Sequence, residues 1–290
     1  MHPAPSVILF TVLSGMGFGF LAFLGAGVVA ATGWAAFFLW GLGYGLAVAG
    51  LLASTFHLGK PRRAWRAFTQ WRSSWLSREA WASVVTLLLL APQALSDWLG
   101  LGLGRAFGVA GAAGCVVTVL CTAMIYAQLK TVPRWHHWTV PATFLSFAVT
   151  GGLVLAGAGG LAALASALLG GLLLLGWRIG DGAFARAGVT LGAATGLTGI
   201  GTPAVFEQPH TGGNYLLREM VHVVGRRHAA RLRMIALAGV TAGPVLATLL
   251  LPAGLAVLPA ALSHLLGALA ARWLFFAEAE HVVGLYYGRR

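Results

Sequence analysis

Residues 34–99 read WAAFFLWGLGYGLAVAGLLASTFHLGKPRRAWRAFTQWRSSWLSREAWASVVTLLLLAPQALSDWL. Two apolar runs, 34–57 and 79–99, flank a connection, 58–78, that holds six basic side chains. Each run supplies the roughly 20 apolar residues a helix needs to cross the hydrocarbon core. Helices are the default there, because an open sheet cannot satisfy its backbone in lipid. The stretch is therefore a transmembrane helical hairpin with a basic interfacial loop.

The rest of the chain repeats this pattern. Of 290 residues, 9% are charged and 58% hydrophobic, with 41 glycines besides. A soluble domain carries about 25% charged residues and cannot be surfaced with so few. Soluble enzymes, disordered chains and disulfide scaffolds are excluded. Eight spans are expected, at about 6–31, 34–57, 79–99, 105–129, 139–157, 160–177, 232–252 and 256–278, forming an all-α bundle that is a single domain over 1–290. Longer connections fall at 58–78, 130–138 and 178–231. Residues 187–206 (AGVTLGAATGLTGIGTPAVF) are uncharged, yet half are Gly, Thr or Pro. They are read as a glycine-rich connection against the protein, not a ninth span.

Charge supports eight. With eight spans, 17 of the 19 basic residues fall on one side, leaving Arg105 opposite and Arg272 in the last helix. The positive-inside rule makes that side, and both termini, cytoplasmic. A ninth span would move the basic cluster at 218–233 across the membrane. The net charge of +12 thus reports topology and not nucleic-acid binding. The N-terminus MHPAPSVILF lacks the basic region of a signal peptide, so the first span is expected to stay. Cys115 and Cys121 lie in one apolar stretch and read as small packing residues. The spacings Gly15/Gly19 and Gly41/Gly45 read as close helix contacts.

Chemistry concentrates around residues 54–83, where Trp65, Trp71, Trp75 and Trp81 alternate with basic residues. Tryptophan and arginine at the headgroup level are ordinary belt chemistry. His57 and Glu79 stand out, at the facing ends of consecutive antiparallel spans and at one depth. Glu79 could equally complement the helix dipole in the first turn of its span, and His57 could close its own span. Taken together, they suit a quinone: an imidazole hydrogen-bonds a quinone oxygen and passes a proton, a carboxylate relays it, and Arg63 steadies negative charge. Haem is disfavoured, because among nine histidines only His264 lies well inside a span, and it reads as a hydrogen-bonded bundle residue. No cysteine cluster for iron–sulfur binding and no metal site is expected. The segments KTVPRWHHW (130–138) and 205–234 add a basic platform on the same side. There Arg218/His222 and Glu219/Arg226 suggest a short amphipathic helix, and lipid headgroups account for the charge as well as a docking partner does.

HPAPSVILFTVLSG, HLGKPRRAW, WLSREAWAS and FFAEAEHVVGLYYG together resemble the DmsC-type membrane anchor of dimethyl sulfoxide reductase. VPRWHHW and EQPHTGGNYLLREM resemble the anchor of the related sulfite dehydrogenase (quinone). The resemblance implies a cofactor-free anchor, multi-pass in the bacterial cytoplasmic membrane. It would exchange electrons between quinone (ubiquinone or menaquinone) and a four-cluster iron–sulfur subunit that serves a molybdopterin catalytic subunit. It places the quinol-site histidine at His57 and the essential acid at Glu79, with Arg63, Ser77 and Arg78 around them. Lys60, Arg62, Arg66, Arg134, His136, Arg218 and Arg226 would dock the partner. Two other functions stay open: a secondary transporter, with Pro244 and the glycine pairs 151–152 and 170–171 as helix breaks, and a haem b-binding electron-transfer subunit.

Overall fold

The computed structural model describes residues 1–58, 60–207, 212–220 and 228–288, without the side chains of His57 and Leu217. Helices α1 (Pro5–Gly25), α2 (Gly33–Ala53), α3 (Trp75–Leu99), α4 (Ala106–Ala127) and α5 (Thr139–Leu155) build the first part. Helices α6 (Gly159–Asp181), α7 (Ala229–Leu250) and α8 (Ala253–Ala277) complete the bundle. Seven of them are long and apolar enough to cross a membrane. The remaining one, α5, is apolar but has 17 residues, about 25 Å of helix. No strand forms among the described residues. The chain is an integral membrane helical protein.

Lipid tails give helices no hydrophobic reason to associate, so contact rests on small residues and close packing. α1 is the central helix, with α2, α4 and α5 packed around it. A Cβ on Gly17 would stand 2.3 Å from the backbone of Ala47, and one on Gly50 2.4 Å from that of Ser14. Gly19 and Gly152 meet across α1 and α5 in the same way. This corrects the spacing reading: Gly15, Gly41 and Gly45 face open space, and the close contacts use Gly17, Gly43 and Gly50 instead. The pattern Gly-x-x-x-Gly does not say which face of a helix its neighbour takes.

Three other departures have local causes. α1 stops at Gly25, where the chain turns through Gly27 at φ 77°, so the apolar residues 26–31 leave the helix. α7 is interrupted by a π-turn, Ala238–Ala242, just before Pro244. Proline supplies no N–H to the ladder and crowds the preceding turn. The widened turn brings Gly239 against Gly267 of α8, where a Cβ on either would stand 2.5 Å from the other helix's backbone. Within 187–206 the helix Leu191–Thr195, capped by the Thr190 hydroxyl, is too short to span.

One end of the bundle gathers both termini and the long connections. The Met1 ammonium donates to the Ala279 carbonyl at 2.8 Å. The His2 amide donates to Glu219, and the Val282 amide donates to Thr131. Trp135 is buried, stacks on Phe275 at 5.0 Å and donates its indole N–H to the Phe275 carbonyl at 3.0 Å. It nails the 128–138 connection to α8. At the opposite end Asp97 accepts from Trp40, Gln93 and Arg105, and Arg105 also reaches the Leu24 carbonyl.

Candidate functional site

Helix α3 begins at Trp75, four residues before Glu79. Glu79 therefore sits in the second turn and not the first, which removes the helix-dipole reading, since that effect fades within one turn. Its side chain is buried against α4, where Oε1 accepts from the Thr122 hydroxyl at 2.7 Å. The same hydroxyl reaches the Thr118 carbonyl at 3.1 Å, and the Thr118 and Thr86 hydroxyls lie 3.3 Å apart. A line of hydroxyls thus runs from Glu79 into the α3–α4 seam. Gly114 makes room for it, because a Cβ there would stand 2.4 Å from Thr86 Oγ1. Among the described residues Glu79 takes part in no ion pair. A carboxyl buried beside neutral hydroxyls, with no guanidinium to hold it ionised, is equipped to change protonation.

The preceding connection is tied down over this carboxyl. Ser77 is buried and accepts from the Gln70 amide at 3.3 Å. Arg78 donates to the Trp71 and Arg72 carbonyls and lies over the Trp75 ring at 4.4 Å. Trp81 donates to the Phe68 carbonyl at 3.0 Å. Lys60, Arg62, Arg63 and Arg66 remain exposed on the connection, as do Trp65 and Trp71. His57 closes a 3₁₀ turn, Ser54–His57, at the end of α2. Its imidazole lies outside the described residues, and so does the pairing of His57 with Glu79.

The proposed docking residues divide. His136 and Arg218 are exposed. Arg226 and His222 lie outside the described residues, and with them the amphipathic helix; Arg218 and Glu219 occupy a π-turn, Leu216–Met220. Arg134 turns inward. It pairs with Asp181 and donates to Glu278 at 3.1 Å. Arg233 reaches the same two acids, at 2.9 Å to Asp181 and 2.8 Å to Glu278. Burial is the larger influence on both Glu278 and Arg134. It raises the carboxyl and lowers the guanidinium from their ordinary values, with the opposite charges pulling back. The four residues come from four separate segments, so no spacing announces them.

One further group departs from expectation. α8 starts at Ala253, which puts His264 near its middle. His264 is fully buried, and neither ring nitrogen has a hydrogen-bond partner, contrary to the bonded residue expected. Arg272, also buried, lies 3.5 Å over the Phe144 ring. An apolar groove of about 460 Å³ between α1, α4 and α5 has Phe23, Val116 and Val149 among its walls, and Glu79 is not one of them.

A family profile described as DMSO reductase anchor subunit (DmsC) matches residues 1–165. A sulfite dehydrogenase subunit from Allochromatium vinosum is 32% identical to the chain, and the alignment covers 99% of each protein. No solved structure matches the chain.

Proposed function

The chain belongs to the DMSO reductase anchor subunit (DmsC) family, and from that premise we propose that it anchors a molybdoenzyme complex in the bacterial cytoplasmic membrane and exchanges protons with quinone at Glu79. The bundle crosses the membrane eight times, α5 included, with the basic end and both termini in the cytoplasm. What supports this orientation is the concentration of exposed arginine and tryptophan on the 58–74 connection.

One observation carries the redox reading: a buried carboxyl 2.7 Å from a hydroxyl and free of any cation among the described residues, directly after a basic connection. A bound quinone, ubiquinone or menaquinone, would supply two-electron, two-proton chemistry there. The residues at hand fit its head group as proton donors and acceptors. Glu79 holds the proton at its carboxyl, Thr122 orients that carboxyl, and His57 exchanges a proton at an imidazole nitrogen. Ser77 and Arg78 fix the connection above them, and Arg63 offers positive charge beside the site. Lys60, Arg62, Arg66, His136 and Arg218 form the docking face for an iron–sulfur subunit that passes electrons to or from a molybdopterin subunit. A face of exposed arginines beside aromatics suits such an interface.

The test is quinol-coupled turnover and quinone-analogue binding in the assembled complex with Glu79→Gln and, separately, His57→Phe. Loss of turnover with intact assembly is expected from each. Unchanged turnover in both would remove the assignment.

A further inference from the structure

Three clefts follow one another from the basic end towards the middle of the bundle. The outermost, about 210 Å³, is walled by Arg134, Asp181, Arg233, Glu278 and Glu280. Arg134 and Glu278 also line the second, about 60 Å³, together with Thr139, Thr143, Phe147 and Arg272. Phe147 and Arg272 in turn line the innermost, about 10 Å³, with Thr11 and His264. Each cleft shares walls with the next, and the series ends at a residue in the centre of α8.

At its inner end the imidazole lacks a well-formed hydrogen bond, and the guanidinium meets only aromatic faces. His264 has no accessible surface, and neither ring nitrogen makes a hydrogen bond of good geometry; the Phe147 backbone is at most a weak partner. Gly151 leaves the ring its space, since a Cβ there would stand 3.2 Å from Nε2. Arg272 rests on the faces of Phe144 and Phe147, at 3.5 and 4.8 Å, and makes no hydrogen bond or ion pair among the described residues. An imidazole and a guanidinium buried in this way need partners, because a buried polar group without one is strongly disfavoured. Water meets the requirement. The innermost cleft has room for about one molecule and the second for a few, and neither admits a quinone ring. An inorganic anion is not called for, since three carboxylates (Asp181, Glu278, Glu280) face three guanidiniums (Arg134, Arg233, Arg272) along the series.

We propose that a file of water fills the two inner clefts and carries protons between the Asp181–Glu278 cluster and His264. The imidazole takes a proton from the file at one ring nitrogen and returns it to the same file. Only N–H and O–H bonds form and break, and the proton comes from solvent at the outer cleft and goes back to it. Arg272 is a positioning residue that orders water at the neck. The charged group facing His264 is Arg272 on its own helix; the neighbouring walls from α1 and α5 are Thr11, Val12, Gly15, Met16 and Phe147, none of them titratable. Tyr126, stacked on Phe144 at 5.7 Å, is the nearest phenol to the Arg272 cluster. Glu79, on the α3–α4 seam, lines none of the three clefts.

Radiolytic hydroxyl-radical footprinting of the full chain in lipid nanodiscs tests the water. Phe147 and Phe20 are both buried, but only Phe147 lines the series. Phe147 is expected to oxidise at least tenfold faster than Phe20 in the unaltered protein, and equal rates overturn the proposal. Deuterium exchange at the imidazole C2 of His264, read by mass spectrometry, tests the proton. Exchange within days is expected, falling at least fivefold in Arg272→Leu and recovering in Arg272→Lys. No exchange in the unaltered protein overturns the proton role. Bromide retained by the washed protein and lost in Arg272→Leu would put an anion in place of the water and overturn it too.

Discussion

Glu79 and Glu278 are both buried carboxyls towards the basic end of one bundle, but they are buried in opposite ways. Glu79 meets a threonine hydroxyl, and no cation reaches it among the described residues. Glu278 is gripped by Arg134 and Arg233, which also share Asp181. A carboxyl among guanidiniums is fixed in place by its paired charges, whereas one among hydroxyls has no opposite charge to hold it. The bundle carries two kinds of buried acid: α3 and α4 hold one beside a hydroxyl, and the ends of α6, α7 and α8, with Arg134 from the connection before α5, hold one in a clasp.

The comparison is most exposed to failure at the clasp. Arg134→Met leaves Glu278 with one guanidinium and should cost about 1.5–3 kcal/mol of stability, read from denaturant unfolding in detergent, with residual quinol turnover per folded complex unchanged. A cost below about 1 kcal/mol would dissolve the distinction. Glu79→Gln should show the reverse. Quinol-coupled turnover drops on the order of 100-fold, about 2.7 kcal/mol of barrier, while unfolding shifts by less than about 1 kcal/mol. Thr122→Val sharpens the contrast by removing the hydroxyl at nearly constant volume. It should cost about 1–2 kcal/mol, seen as a lowered unfolding midpoint and a shifted pH profile of turnover. A pH profile identical to the parent's would detach Thr122 from the proton chemistry.

The smallest effect is at His281, which lies beside the clasp. Its Nδ1 accepts from the Val283 amide at 3.0 Å and starts the turn Val282–Tyr287. Burial and the nearby N-terminal ammonium hold this imidazole below its ordinary value of 6.5. The neutral form is therefore favoured in the folded chain. Its contribution is complete above about pH 6.5 and is lost as the pH falls below that. The protection factor of the Val283 amide, its exchange rate corrected for base catalysis, should fall on acidification through this window, and a fall on the alkaline side instead would reverse the sign.

Much of this architecture was legible from composition and period, because long apolar runs in lipid have only helices open to them. The basic connection 58–78 and the prominence of Glu79 were legible for a similar reason, since charge near an apolar run is rare and expensive. What was not legible depended on which neighbour a residue meets. The start of α3 at Trp75 moved Glu79 by a turn; Ser74 stands at the N-cap but makes no side-chain bond there. The ion pairs of Arg134 were not legible either, because two distant segments supply its partners. His264 looked like an ordinary bonded histidine until its ring proved to have no partner.

Hydropathy and charge by themselves determined that this chain is a helical membrane protein whose cations crowd one end, because transfer into lipid is decided residue by residue along the chain. Which glycines touch, which acid meets a hydroxyl and which an arginine, and where the interior stays hollow were decided by the packing of helices against one another. Those outcomes depend on distances across the bundle that a linear spacing does not contain.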